Sequence, residues 1–148
     1  MTSSRIRSIT GINSSMVKWD SGYSVSIAEI DQQHKRLIAS LNDLTRTLSQ
    51  NKNGEVLEEA LDCLLTCTRE HFTTEENLFA QYAYPWATTH ITEHHVFLQK
   101  INEFAHDFKQ GKVALNGRFP EFVANWMKTH IVGKDKTYTY FFIMKGLR

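Results

Sequence analysis

Apolar residues return every three or four positions along most of this chain, the repeat of an α-helix that buries one face. The first run, from about Ala28 to Gln50, sets Ile30, Leu37, Ile38, Leu41, Leu44 and Leu48 on one stripe. Asn51, Lys52, Asn53 and Gly54 break it. A second helix is predicted from about Glu55 to Tyr82, with Leu57, Leu61, Leu64, Leu65, Phe72, Leu78 and Phe79 inward and Pro85 just past its end. The third, from roughly Trp86 to Gln110, carries Ile91, Phe97, Leu98, Ile101, Phe104, Ala105 and Phe108, and Gly111 stands where a C-terminal cap prefers glycine. After Asn116 and Gly117 a fourth helix is predicted to follow Pro120, from about Glu121 to Ile131. The end of the chain, Tyr138 to Met144, reads as a short aromatic tail.

No segment alternates at the period of a strand, so the chain reads as all-α. Four helices with short connections describe an antiparallel up-down-up-down four-helix bundle. Residues 1–20 are Ser-rich and weakly patterned and read as an N-terminal arm, with residues 21–148 as the bundle domain. At 148 residues there is room for one domain with its own core. The formal net charge of +1 gives no reason to expect a nucleic-acid or membrane-surface partner. No apolar stretch is long enough to span a membrane, and the first residues lack the apolar stretch of a secretory signal. Cys63 and Cys67 do not make a disulfide framework. The expected compartment is the cytoplasm.

Chemistry enters with the histidines. Five of the seven fall in one pattern with two carboxylates: His34, then His71 with Glu75, then His90 with His94, then His130 with Asp135. Imidazole and carboxylate bind first-row transition metals, and a spacing of four puts both members of a pair on one helix face. Each predicted helix supplies at least one of these residues, so all of them can converge in the bundle core. Asp135 breaks the rule. Five residues after His130 it would sit roughly 140° round a regular helix from that face. The glycine between them, Gly133, predicts that the helix distorts or ends there and lets Asp135 turn back.

Seven ligands exceed one tetrahedral zinc and suit two octahedral ions. With Glu75 and Asp135 each bridging, the seven side chains supply nine bonds. A bridging oxygen atom adds two more, which leaves one position free for a small ligand.

Through these residues and their flanking motifs, the chain resembles the hemerythrin family, and the bacteriohemerythrin-like proteins in particular, from about Trp19 to Tyr138. The resemblance is carried by Asp31-Gln-Gln-His34, His71-Phe-Thr-Thr-Glu75-Glu76, Tyr84-Pro85, His90-Ile-Thr-Glu-His94 and Trp126-Met-Lys-Thr-His130-Ile-Val-Gly-Lys-Asp135. It implies two non-haem iron ions (Fe2+/Fe3+) with a bridging oxo or hydroxo group, and reversible binding of dioxygen. In that reading His90, His94 and His130 hold the fully coordinated iron. His34 and His71 hold the iron with the open position, and Glu75 and Asp135 bridge. Trp126 and Met127 line the oxygen pocket. The family commonly has leucine where Met127 stands, and the softer, more flexible side chain bears on how long dioxygen stays bound.

The expected function is therefore oxygen transport or storage by a non-enzyme with no catalytic residues. The alternative is oxygen or redox sensing for a signalling protein, through a separate or missing output domain. A homo-oligomer is compatible with either. A zinc-peptidase reading of His90-Ile-Thr-Glu93-His94, with Glu93 as base, leaves the other five ligands unexplained. A carboxylate di-iron oxidase needs two Glu-x-x-His motifs, and only Glu103-Phe-Ala-His106 is present. His95 and His106 are out of phase and read as solvated. Glu76 reads as surface, because adjacent helical residues do not share a face. Cys67, one turn before His71, reads as a small inward residue, and a redox-responsive thiol is the sharper possibility.

Overall fold

A computed structural model describes residues 16–51 and 54–148. Four long helices make the bundle: α1 (Ala28–Ser49), α2 (Gly54–Tyr82), α3 (Ala87–Lys109) and α4 (Arg118–His130). A single π-helical turn, Ile131–Asp135, continues α4 into α5 (Lys136–Met144). Helix α1 lies against α2 and α4, and α2 against α3. Among the described residues there is no strand, and no helix is long and apolar enough to cross a membrane.

The helix boundaries follow from local chemistry. Asp31 accepts from the Val25 amide at 2.8 Å and from the Ser24 hydroxyl at 2.6 Å, which ties the incoming chain to the first turn of α1. The fourth helix begins two residues before the proline that was expected to precede it. Pro120 instead sits in the first turn of α4, where a missing N–H costs nothing. The expected tail is helical, and Tyr138 and Phe142 are buried. Residues 1–15 of the expected arm lie outside the described residues. Just after them Val17 is buried, and it exchanges two hydrogen bonds with Asn42.

Helix α2 ends in a Schellman motif. The Tyr84 amide bonds back to the Phe79 carbonyl at 2.9 Å and the Ala83 amide to that of Ala80 at 3.4 Å, while the Phe79 and Tyr84 rings meet at 5.0 Å. Ala83 occupies the left-handed position that this motif prefers to give to glycine, with φ 53°. Ala83→Gly should therefore raise thermal stability by about 1 kcal/mol. Chemical denaturation of the metal-free protein would show it, and a loss of stability would contradict the motif.

Two apolar clusters divide the interior. The larger contains Leu37, Leu41, Leu64, Phe72, Phe97 and Met127; the smaller contains Ile30, Phe79, Tyr84, Tyr138 and Phe142. On α1, Ile30 in one cluster and Leu37 in the other bracket His34. On α2, Phe72 and Phe79 bracket Glu75. Along the fourth helical run, Met127 and Tyr138 bracket His130 and Asp135. The antiparallel arrangement thus brings one polar layer to the same height from every helix.

Candidate metal centre

All seven residues predicted as ligands lie in that layer, and all are buried. Their donor atoms fall into two groups. One is Glu75, His90, His94, His130 and Asp135; the other is His34, His71, Glu75 and Asp135. The two carboxylates belong to both. His90 Nε2 lies 2.9 Å and His130 Nε2 3.1 Å from Asp135 Oδ1, while His34 Nε2 lies 3.0 Å from Oδ2. Glu75 Oε1 is 3.2 Å from both His71 Nε2 and His94 Nε2.

The π turn explains how Asp135 arrives. A π turn closes its hydrogen bond over five residues instead of four. The step from His130 to Asp135 then completes about one turn rather than overshooting it. The expected distortion of the helix is this π turn, and Gly133 within it does not take a positive φ.

Three histidines have their outward nitrogen fixed by a neighbour. His71 Nδ1 lies 2.8 Å from Gln33 Oε1, His94 Nδ1 2.9 Å from Glu76 Oε2, and His130 Nδ1 3.1 Å from Glu93 Oε2. Each partner is an acceptor, so each Nδ1 carries the proton and each Nε2 of the neutral ring presents a lone pair inward. For His71 the orientation of Gln33 is itself set. The Gln33 amide donates to Thr74 Oγ1 at 2.9 Å, and Thr74 donates to the Glu70 carbonyl at 3.1 Å.

This ring of partners was largely missed from sequence. Glu76 does leave the face of Glu75, as expected, but its side chain reaches α3, so it is not simply a surface residue. Glu93 pairs with His130 and with Lys134 (Nζ 3.3 Å away), both of which lie outside the His90-to-His94 string. Tyr138, read from sequence only as the start of an aromatic tail, donates to Glu75 Oε2 at 2.5 Å.

A fit to metal can be tested on polar satisfaction. Glu75 Oε1, His94 Nε2 and both oxygens of Asp135 are sealed from solvent without a hydrogen bond, which a buried polar atom ordinarily avoids. Two ring nitrogens also face each other at 2.9 Å in His34 and His71, and at 3.1 Å in His90 and His130. Lone pairs so arranged lack a common partner, and a cation among them supplies it. The donor set fits two transition-metal ions.

Electrostatics agree with the donor set. Burial disfavours charge on Glu75 and Asp135, and they repel each other. The surrounding imidazoles outweigh both effects and hold the two carboxyls below the usual carboxylate range. Burial likewise disfavours the His130 imidazolium, but Asp135, Glu75 and Glu93 raise its pKa overall. Burial, Glu75 and Asp135 push the Tyr138 phenol well up, so it stays a donor.

Signs follow for the metal-free protein. Carboxyls with depressed pKa stabilise the fold above about pH 4 and lose that contribution as pH falls through their folded values. A raised His130 pKa means that metal displaces a proton there even above the ordinary imidazole value of about 6.5. Proton release on metal addition, followed with a pH indicator, should be larger at pH 6 than at pH 8, and the affinity weaker. Equal affinity at both would contradict imidazole ligation.

Around the layer, Phe72 stacks on His94 (3.8 Å between centroids, 4° between planes) and Trp126 on His130 (4.3 Å, 13°). Trp126 thus covers the five-donor side, while Met127 beside it is buried in the larger apolar cluster. His95 and His106 are exposed, as their phase predicts. Cys63 is exposed and Cys67 half-buried; burial, then Glu70, raises the Cys67 thiol.

Comparison with known proteins gives a consistent picture. The family model of the hemerythrin HHE cation binding domain matches residues 25–140. A bacteriohemerythrin of Stenotrophomonas maltophilia (strain R551-3) is 30% identical over 126 residues, covering 83% of this chain and 79% of that protein. A hemerythrin-like protein of Naegleria gruberi is 31% identical over 120 residues, covering 81% and 88%. The crystal structure of a wild-type hemerythrin superposes with a TM-score of 0.81 at 25% identity, over 84% of this chain and 95% of that one.

Proposed function

The chain belongs to the hemerythrin family, and from that premise we propose that it carries or stores dioxygen at a two-iron centre in its bundle core. Membership itself implies non-haem iron and oxygen binding. The ligand assignment is our own: His90, His94 and His130 on one iron, His34 and His71 on the other, Glu75 and Asp135 shared.

The observation that carries the reading is the unequal sharing of donors, five atoms in one group and four in the other, with both carboxylates common to the two. One bridging oxygen atom added to each group fills six positions on the first ion and five on the second. The open position therefore belongs beside His34 and His71.

When bound, the two iron ions supply the electrons for reversible oxygen binding. The protein's residues do the rest. Gln33, Glu76 and Glu93 aim imidazole lone pairs inward, Tyr138 holds Glu75 in place, and the two apolar clusters exclude water. Exclusion of water disfavours the charge separation that makes oxidation irreversible. We assign the centre no enzymatic role.

An absorption spectrum of the reduced protein before and after air tests the proposal. A visible band should appear with air and vanish on deoxygenation, through repeated cycles. Direct oxidation without a reversible band would overturn carriage and favour oxygen or redox sensing. We assign Met127 to the pocket wall, whereas Trp126 stacks on His130 on the five-donor side, so Met127→Leu should lengthen the life of the oxygenated form by several-fold, an effect of order 1 kcal/mol. An unchanged decay rate would remove residue 127 from the pocket.

A further inference from the structure

Between α3 and α4 the surface opens into a cleft of about 240 Å³, lined by Lys100 and Phe104 from one helix and by Arg118, Phe119 and Phe122 from the other. Its apolar wall is aromatic. Phe104 and Phe119 stack at 4.3 Å with 9° between planes, and the Phe122 ring is 39% exposed.

Both cations lack a partner. Among the described residues neither the Lys100 ammonium nor the Arg118 guanidinium has an ion pair or a hydrogen bond; at Arg118 it is the backbone amide that donates, to Asn116 Oδ1 at 2.9 Å. No described acidic or hydroxyl side chain lines the cleft. The carboxylates nearest in sequence, Glu103 and Glu121, lie outside it, and Glu103 accepts instead from Gln99 at 3.2 Å. Two unneutralised positive charges thus stand beside three phenyl rings. That arrangement complements a molecule with a carboxylate at one end and an apolar body at the other, since arginine matches a carboxylate with two parallel donors. A cleft of this size falls just short of the roughly 300–1,000 Å³ usual for small-molecule sites, so its occupant is a small molecule and not a folded partner.

We propose that this cleft binds a medium-chain fatty-acid anion, its chain on Phe104, Phe119 and Phe122 and its head accepting from Arg118 and Lys100. An exposed ion pair by itself contributes little. Affinity therefore needs both ends of the ligand, with burial of the chain supplying most of it. None of the candidate metal ligands lines the cleft, so the proposal does not rest on the two-iron reading. A reporter is built in: Phe122 meets Phe97 at 5.9 Å, and Phe97 stacks on Trp126 at 3.8 Å and 9°.

Sodium octanoate, titrated into the full-length protein by calorimetry and followed by tryptophan fluorescence, tests the proposal. One site per chain is expected, with Kd on the order of 0.1–1 mM. Each methylene added between butyrate and octanoate should tighten binding by up to about fourfold. Lys100→Glu combined with Arg118→Glu should weaken octanoate at least about tenfold. Both residues are exposed and unpaired, so the fold tolerates the change, and unchanged thermal unfolding would verify that. Phe122→Ala should weaken binding as well, while Lys100→Arg should retain it.

No saturable heat, or equal affinity in the charge-reversed variant, overturns the proposal. Octanol binding as tightly as octanoate would reduce the cleft to an apolar patch, and acetate binding as tightly would reduce it to a simple anion site; either result overturns it. So does retention on anionic phosphatidylglycerol vesicles without a response to octanoate, which would make this face a membrane contact.

Discussion

Glu75→Ala is expected to leave a protein that cannot hold two metal ions, with its iron-to-protein ratio falling from about two to one or less. Glu75 belongs to both donor groups, so its loss takes a bond from each at once. Asp135→Ala should do the same for the same reason. His94→Ala removes a donor from one group only and should lower loading less. Tyr138→Phe keeps the carboxylate and removes only its hydrogen-bond donor, so metal affinity should fall by roughly 10- to 100-fold, the usual effect of an outer partner.

The metal-free fold responds differently. Truncating Glu75 leaves the buried Tyr138 hydroxyl without its acceptor, a cost of about 1–3 kcal/mol. Metal loss with a cooperative, folded transition is thus the expected signature. Metal analysis paired with denaturant unfolding checks it. Full retention of two ions in Glu75→Ala would refute the bridging assignment.

Phe72→Ala should be the most damaging change away from the ligands. Phe72 is 2% exposed, and its ring stacks on His94 and meets Phe97 and Trp126 edge-on or tilted at 6.3 Å and 5.7 Å. Removing a buried phenyl ring costs about 3–5 kcal/mol, through lost burial and the cavity left behind. At about 2–4 °C per kcal/mol for a chain of this size, the melting temperature should drop by roughly 10 °C. His94 would lose its stacking surface but keep Glu76 on Nδ1, so metal loading should weaken far less than in Glu75→Ala. Thermal unfolding of the metal-free and metal-loaded forms separates the two effects. A cost under 1 kcal/mol would mean the core closes around the gap.

Much of the fold could be read from the positions of apolar residues, because a helix that buries one face repeats at a fixed angle. The cluster of candidate ligands was equally legible: His71 with Glu75 and His90 with His94 are one helical turn apart. The break in phase at Asp135 even located the distortion. Other features were not legible. Pro120 was read as preceding a helix that it in fact begins within, since proline is accepted in a first turn as readily as before one. The aromatic residues after Asp135 gave no sign that a π turn would continue the helix and bring Tyr138 under Glu75.

Sequence alone determined the chemistry of this protein's interior: five imidazoles and two carboxylates, all but Asp135 in phase with an apolar stripe, along four helical runs. It did so because helical phase is a local property, set by counting residues along one chain segment. Tertiary structure decided how those groups divide five and four, which nitrogen of each ring faces inward, and which rings are held. The partners of His71, His94 and His130 lie 38, 18 and 37 residues away in sequence. No periodicity within one helix encodes the rotation and height of its neighbours. Packing of the two apolar clusters sets those, and with them the site.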